Sequence, residues 1–157
     1  MTDLTYASLS TAVVAALRAD GPDANGQPPE RATSDGGGNP CRHCLCAIPK
    51  GAPMLICAHR PFDTLHPYAE CGPIFLCAED CAAHSGSALP EILTTSPTYL
   101  LKGYTADQRI YYGTGQITPA ADIPTYAAAL LARDQVAFVD VRSASNNCFM
   151  TRITVRK

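Results

Sequence analysis

The last third of the chain alternates apolar and polar residues with a period of two, and this pattern predicts an antiparallel sheet. Residues 136–142 and 149–155 form two of its strands, and Ser145-Asn146-Asn147 between them suits a hairpin turn. Shorter apolar stretches predict further strands at residues 99–104, 109–112 and 116–118.

An amphipathic helix is predicted at the N-terminal end of the chain. Ser8 can cap it, because its hydroxyl can accept a hydrogen bond from the first turn, and Gly21 ends it. Apolar residues recur every three or four positions and would form one buried stripe. That stripe consists of Leu9, Ala12, Val13, Ala16 and Leu17.

A second helix is predicted between the strands of the last third. Asp122 can cap it, and Pro124 lies in its first turn, where a missing N–H costs little. Its buried face is predicted to be Ile123, Ala127, Leu130 and Leu131. We therefore expect an antiparallel sheet with a packed helix, which is an α+β fold.

We expect residues 1–157 to form a single domain, because 157 residues is the size of one domain. Residues 1–20 contain the N-terminal helix. Residues 21–40 are rich in turn formers and almost free of large apolar residues, which predicts a loop or linker. Residues 41–86 are a cysteine-rich zinc-knuckle segment, and residues 98–157 are β-rich with one helix.

The composition is that of a globular protein, with 46% hydrophobic residues and a net charge of -2. No surplus of positive charge is available for a polyanion, so nucleic acid is not expected as a partner. The apolar run at residues 12–17 is far below the ~20 residues of a spanning helix and lacks the basic leader of a signal peptide. We therefore expect a cytoplasmic protein without a membrane partner, whose thiols stay reduced.

Eight cysteines are the strongest chemical signal, and seven of them lie between Cys41 and Cys81. Cys41 and Cys44 form a closely spaced pair that can direct both sulfurs at one ion from a tight turn. Cys77 and Cys81 form a second pair, at the start of a helix predicted over residues 78–84, whose free N–H groups would stabilise thiolates. Four thiolates at ~2.3 Å predict a closed site with a structural zinc ion.

Other ligand assignments stay open. His84 lies on the same predicted helix face as the last cysteine of the second pair and could replace a ligand. Cys57 alternates with apolar residues, so we expect it in the core, whereas Cys46 and Cys71 could bind a second ion. Alternatively, the cysteines are ordinary buried thiols without any metal.

Residues 41–84 also resemble a known class of zinc site. The order is a knuckle, then a hairpin of strands predicted at residues 54–58 and 74–76, then the predicted helix with the second ligand pair. This order resembles the treble-clef class, and the resemblance implies a structural zinc ion.

Four blocks of sequence, taken in order, resemble a bacterial family of unknown function. The blocks are PCRHCL at residues 40–45, RPF at 60–62, YAECGPIFLC at 68–77 and VRSASNNCF at 141–149. The family is catalogued as domain of unknown function 1203, and the similarity extends from about residue 9 to the C-terminus. The resemblance implies a single compact bacterial domain with no assigned activity.

Cys148 is the candidate for thiol chemistry, because Arg142 upstream and Arg152 downstream could favour its reactive thiolate. No histidine lies near it in the sequence to act as a base. A plain hairpin position, with Asn146 and Asn147 forming the turn, is therefore the favoured interpretation.

A binding surface is predicted from polar residues that gather around loops, where binding residues concentrate. Its members are Arg60, Tyr68, Glu70, Arg142 and Asn147. For Arg60 and Glu70, the favoured interpretation is a salt bridge that only pins the loop.

Two classes of function remain open. The first is a zinc-stabilised binding or interaction module, in which four protein ligands leave no coordination position for water. The second is a small enzyme, either a hydrolase with an open zinc site or a thiol enzyme or redox sensor that uses Cys148. The sequence favours the first, with a small molecule or a protein as partner, and it identifies no substrate.

Overall fold

The computed structural model describes residues 2–157, which fold into two antiparallel sheets and two helices. The strands are, in chain order, β1 (Leu4–Ala7), β2 (Glu30–Thr33), β3 (Pro53–His59), β4 (Gly72–Cys77), β5 (Thr98–Tyr104), β6 (Gln116–Pro119), β7 (Phe138–Ser143) and β8 (Phe149–Val155). The helices are α1 (Thr11–Arg18) and α2 (Ile123–Leu131). Two short 3-10 turns cover Glu91–Leu93 and Ala120–Asp122. No helix among the described residues has the length and apolarity needed to cross a bilayer.

The large sheet has the strand order β1-β8-β7-β5-β6, and α2 packs on one of its faces. Alternate side chains of the strands, such as Leu101 and Val139, meet Ile123, Ala127 and Leu130 of the helix in one core. The predicted α+β fold with a packed helix is therefore confirmed. Leu131, also predicted on the buried face, packs at the edge of this core.

The strand β7 is buried on both faces. Val139 and Val141 point into the core beneath α2, and the residues that alternate with them, Asp140 and Arg142, lie on the opposite face. Asp140 pairs with Arg152 of β8 through two hydrogen bonds of 2.7 and 3.0 Å. Charged side chains thus line the face of the sheet that α2 does not cover.

The small sheet has the order β2-β3-β4, and its core contains Val14 and Leu17 of α1 together with Leu55, Ile74 and Leu76. This second core also includes Cys41 and Ile48. The cysteine-rich segment is therefore built against the small sheet and α1.

The N-terminal segment differs from the prediction. A strand, β1, precedes the helix and pairs with β8, and Ser10, not Ser8, caps α1 by accepting a hydrogen bond from Val13 N at 3.2 Å. The buried side of the helix also differs from the predicted stripe, because Val14 and Leu17 are the residues that pack into the core of the small sheet. Val13 is 48% exposed, whereas Val14 is fully buried.

The segment 21–40, predicted as a loop or linker, contains β2, which pairs with β3. Its sequence ERAT shows no apolar alternation, because β2 is a short edge strand with mostly exposed side chains. The carboxylate of Asp23 orders the loop before it by accepting hydrogen bonds from the backbone N–H groups of Asn25, Gln27 and Ala58.

Three local predictions are wrong. Residues 78–84 form no helix, because Ala78 N donates to Pro53 O and His84 N to His43 O, and these tertiary bonds override helix propensity. Residues 109–112 form only an isolated bridge at Ile110. Asp122 makes no capping bond, because the preceding 3-10 turn already holds its backbone in a helical conformation.

Candidate metal centre and neighbouring cavity

The four cysteines predicted to bind metal converge on one point. The Sγ atoms of Cys41, Cys44, Cys77 and Cys81 all lie within 4.8 Å of one another, and those of Cys41 and Cys81 are 4.0 Å apart. Four bonds of ~2.3 Å to a tetrahedral ion would place the sulfurs about 3.8 Å apart. The cluster is therefore positioned to hold one metal ion after a small contraction.

A tight turn presents the first two sulfurs. Leu45 N donates to Cys41 O at 3.0 Å and Cys41 N donates to Cys46 O at 2.9 Å, which closes a knuckle. Leu45 has a φ of 56°, a left-handed conformation that costs an L-residue about 1–2 kcal/mol. Its side chain is fully buried in the core of the large sheet, and this burial offsets the strain.

Cys41 is the most strongly stabilised thiolate of the cluster. Its Sγ accepts hydrogen bonds from His43 N at 3.4 Å and Cys77 N at 3.3 Å. Hydrogen bonds from the thiols of Cys44 and Cys77, together with backbone donors, hold the pKa of Cys41 below its usual value. Bonding to Cys41 conversely raises the pKa of Cys44, and raises that of Cys77 to about 12.

These opposed shifts follow from crowding, because thiolates at such short range repel one another and the sulfurs share protons instead. A bound cation would remove the repulsion and release the shared protons. The donor set of four thiols therefore fits a thiophilic metal ion.

Two side chains outside the cluster support Cys81. Arg18 Nη2 donates to Cys81 Sγ at 3.2 Å, and Arg18 Nε donates to Cys77 O at 3.0 Å. His43 Nδ1 lies 3.1 Å from Cys81 Sγ, and its Nε2 lies 3.0 Å from Thr11 Oγ1. A metal-bound Cys81 would be a thiolate, which only accepts, so in the metal-bound site Nδ1 would carry the proton and the Thr11 hydroxyl would donate to Nε2.

Sequence reasoning missed these supporting residues. His43 lies between the cysteines of the first pair, which was an available signal, but Arg18 and Thr11 come from α1. Both ends of α1 are thereby tied to the metal centre, since Thr11 is its first residue and Arg18 its last.

The alternative ligands lie elsewhere. His84 is outside the cluster; its ring stands edge-on to Tyr6 at 6.4 Å, and its Nε2 is buried without a partner. Cys57 is buried in the small-sheet core, as expected. Cys46 and Cys71 are exposed, and the described residues contain no second cluster that could hold an ion.

A cavity of about 200 Å³ lies between the two sheets. One wall comes from the hairpin of the small sheet, including His59 and Glu70, and the other from the β7–β8 turn, including Arg142, Asn147 and Cys148. The structure thus brings together Glu70, Arg142 and Asn147 of the predicted binding surface, and it adds Cys148.

Arg142 is the most confined charged group of the cavity wall, with 4% of its surface exposed. Its Nη1 donates to Asn147 O at 3.0 Å and lies 3.6 Å from a Glu70 carboxylate oxygen. Its Nε and Nη2 are buried without a hydrogen-bond partner. The predicted Arg60–Glu70 salt bridge is wrong, because Glu70 instead lies between Arg142 and Lys102, 3.6 Å from each.

The other two members of the predicted surface lie outside this cavity. Arg60 lines a separate, more open depression beside Ser10 and Val13 of α1. The hydroxyl of Tyr68 lies 3.1 Å from that of Tyr112, with the Arg109 guanidinium over its ring. The predicted surface is therefore divided among three places.

One histidine shares a cavity with Cys148, although none lies near it in the sequence. His59, at the end of β3, lines the same cavity as Cys148. Burial, and then the positive charges of Arg42, Arg152 and Arg142, lower the pKa of His59 to about 4. The imidazole is therefore neutral at pH 7.

Arg42 connects the metal centre to the cavity wall. It stands between the first two cysteines, and its Nε donates to Phe149 O at 2.8 Å while Nη1 donates to Pro40 O at 2.6 Å. Its side chain is almost fully buried, and this burial lowers the pKa of Arg42 to about 10, which leaves it charged at neutral pH. Phe149 itself lines the cavity.

Comparison with known protein families places the chain in one of them. A family model described as "Protein of unknown function (DUF1203)" matches residues 38–155. This range begins later than the similarity noted from the sequence, but it contains the four clustered cysteines and the whole cavity wall. No curated protein and no solved structure matches the chain.

Proposed function

We propose that this chain, which belongs to the DUF1203 family of proteins of unknown function, is a binding module held together by a structural zinc ion. The observation that carries the proposal is the convergence of four cysteine sulfurs within 4.8 Å of one another. Tetrahedral sites made only of thiolates are typical of zinc or of iron–sulfur centres, and zinc is the usual occupant of knuckle sites of this spacing.

A structural role is favoured over a catalytic one. Catalytic zinc sites use three protein ligands and keep the fourth position for water or substrate, whereas four thiolates would fill the tetrahedron. Cys41 is also fully buried, so this side of the ion would be closed to solvent. The hydrolase alternative therefore lacks the open position that it needs.

The ion would supply stability where the chain has little regular structure. Residues 78–84, which carry Cys81, form neither helix nor strand. Structural zinc contributes about 10–16 kcal/mol of apparent binding energy at neutral pH, and this energy becomes folding energy. We infer that the ion fixes this segment against α1 and the small sheet.

The cavity between the sheets supports a small molecule as the binding partner. A thiol enzyme using Cys148 is the second candidate, because His59 lines the same cavity. However, a base with a pKa of about 4 is poorly matched to proton transfer at neutral pH, so His59 would be a weak partner for the thiol. Binding is thus the better-supported role.

The proposal places the protein in the reducing cytoplasm of a bacterium. All eight cysteines are free, and metal binding requires thiols that are not oxidised to disulfides.

Elemental analysis of the purified chain tests the zinc site. We expect one zinc ion per chain and a colourless protein. Iron in its place would give visible absorption and would replace zinc in the proposal. A folded, stable chain that binds neither metal, even after incubation with zinc under reducing conditions, would contradict it.

A further inference from the structure

We infer that the cavity between the two sheets binds a small oxyanion, the carboxylate or phosphate group of a compact molecule, with Arg142 as its principal donor. This site presupposes the binding role proposed above, but it does not depend on which metal occupies the cysteine cluster.

The first support is the state of the Arg142 guanidinium. Buried N–H groups almost always have a hydrogen-bond partner, yet Nε and Nη2 of Arg142 have none within hydrogen-bond geometry, and the hydroxyl of Tyr104, which interacts with Arg142, is equally unpaired. The Arg142 side chain lines the cavity and is held in place from the other end of the guanidinium by Asn147 O. A fixed guanidinium with free N–H groups matches the two oxygens of a carboxylate or phosphate.

The second support is the charge around the cavity. Arg42, Arg142 and Arg152 all act on His59 in the cavity wall. Asp140 makes two hydrogen bonds to Arg152 and also attracts Arg142, and Glu70 lies 3.6 Å from Arg142, so these two carboxylates face three guanidinium groups and positive charge is in excess. Positive charge focused in a partly buried cleft attracts anions.

The third support is size. A volume of about 200 Å³ equals the liquid-state volume of about six or seven water molecules. Drug-sized ligands need about 300–1,000 Å³, so the occupant is a compact molecule or a small group of a larger one. The neutral His59 and the amides of Asn146 and Asn147 provide further polar wall without adding negative charge.

Glu70 is a competitor built into the site. Its carboxylate lies 3.6 Å from Arg142 Nη1 and 3.6 Å from Lys102 Nζ, both longer than a hydrogen bond. Its side chain is 40% exposed, so it can move aside when a stronger anion enters. An oxyanion would therefore exchange with Glu70 for the same cations.

The test is calorimetric titration of the zinc-loaded chain with inorganic phosphate and, separately, with acetate. We expect at least one anion to bind with a dissociation constant in about the millimolar range or below. Arg142→Gln should weaken binding by about tenfold or more, because a charge-assisted contact is lost. The matched control is Arg133→Gln, which removes the same charge from an exposed residue and should bind like wild type.

Glu70→Gln keeps the proposal testable if Arg142→Gln does not fold. Removing the competing carboxylate should tighten anion binding by about threefold or more. If only phosphate or only acetate binds, the result identifies whether the cavity recognises a phosphate group or a carboxylate group. The proposal is overturned if neither anion binds wild type or Glu70→Gln, or if Arg142→Gln binds as wild type does. Zinc content is measured in the same samples. A chain that holds zinc but binds no anion contradicts the anion site alone, whereas a chain without zinc contradicts the metal proposal.

Discussion

The Nε atom of Arg42 donates a hydrogen bond of 2.8 Å to the carbonyl oxygen of Phe149, a residue 107 positions away in the sequence. Arg42 lies between two cysteines of the metal cluster, and Phe149 begins β8 and lines the cavity between the sheets. The two candidate sites are thus joined by one buried side chain.

Replacing Arg42 tests this connection. Arg42→Met keeps much of the aliphatic stem but leaves the carbonyl groups of Pro40 and Phe149 without their donor. We expect the free energy of unfolding to fall by about 2 kcal/mol or more, measured by urea denaturation of the zinc-loaded chain. Arg133→Met, at an exposed position, is the control. Equal stability of the two variants would mean that the hydrogen bond to Phe149 contributes nothing.

Replacing one clustered cysteine should remove the metal. Cys44→Ser leaves an incomplete tetrahedron, so we expect loss of bound zinc and a free energy of unfolding lower by about 3 kcal/mol or more. Cys46→Ser is a close control, because this thiol lies two residues away but is exposed and outside the cluster. It should change stability by less than about 0.5 kcal/mol. Unaltered zinc content in Cys44→Ser would rule out Cys44 as a ligand.

The contact between Arg18 and Cys81 should slow the loss of metal. Arg18→Met removes the donor to Cys81 Sγ, and residues that support metal ligands typically contribute about 10–100-fold in affinity. We expect zinc transfer to a chromogenic chelator to be about tenfold faster or more. Arg156→Met, which breaks only an exposed pair with Asp3, should release zinc at the wild-type rate. Identical rates for both variants would show that Arg18 does not support the site.

The buried His59 should make stability depend on pH. Burial and nearby guanidinium groups lower its pKa from 6.5 to about 4, so the unfolded chain binds the proton more readily than the folded chain. Keeping His59 neutral in the folded chain costs nothing above pH 6.5. Below that pH the unfolded chain gains a proton that the folded chain does not, so the free energy of unfolding decreases as the pH falls towards 4. We expect wild type to lose about 2 kcal/mol more than His59→Asn by pH 5, measured by denaturation. Parallel pH profiles of the two proteins would contradict the lowered pKa.

Alkylation rates can report the charge of the cavity. Iodoacetate carries a carboxylate and iodoacetamide does not, and each forms an S–CH2 bond with loss of iodide. We expect the iodoacetate-to-iodoacetamide rate ratio to be about fivefold higher at Cys148 than at Cys46, which is exposed and outside the cavity but beside Glu91, and we expect added phosphate to lower the ratio only at Cys148. Peptide mass spectrometry would measure both sites in one sample. A ratio equal at both thiols, with or without added phosphate, would contradict an anion-attracting cavity.

The cysteine cluster could be predicted because its information is local. The spacing of Cys41 from Cys44 and of Cys77 from Cys81 specifies how two sulfurs can face one ion, whatever the rest of the chain does. The strands of the β7–β8 hairpin were predictable for a similar reason, since apolar and polar residues alternate along them, although both faces of β7 are buried. Each signal can be recognised within a short stretch of sequence, although the meeting of the two cysteine pairs depends on the fold.

The remaining errors arose where contacts between residues distant in the sequence determine the local structure. Residues 78–84 contain three alanines and a glutamate, which favour a helix, but the backbone bonds of this segment to Pro53 and His43 exclude one. The strands β1 and β2 are four residues each and lie at sheet edges, so their patterns are too short to recognise. Nothing near Cys148 in the sequence points to His59, which lies 89 positions earlier. The two residues line one cavity because the two sheets lie side by side in the fold.

Leu45 has a consequence for how this zinc-knuckle segment could be used elsewhere. Its backbone closes the turn that presents the cysteines, while its side chain is anchored in the core beneath α2. A graft of residues 41–86 onto another scaffold would expose that leucine and retain only the unfavourable left-handed backbone. Glycine at this position would remove the backbone strain, so the turn could be transferred to another protein. It would also remove the buried side chain that fixes the turn to the large sheet.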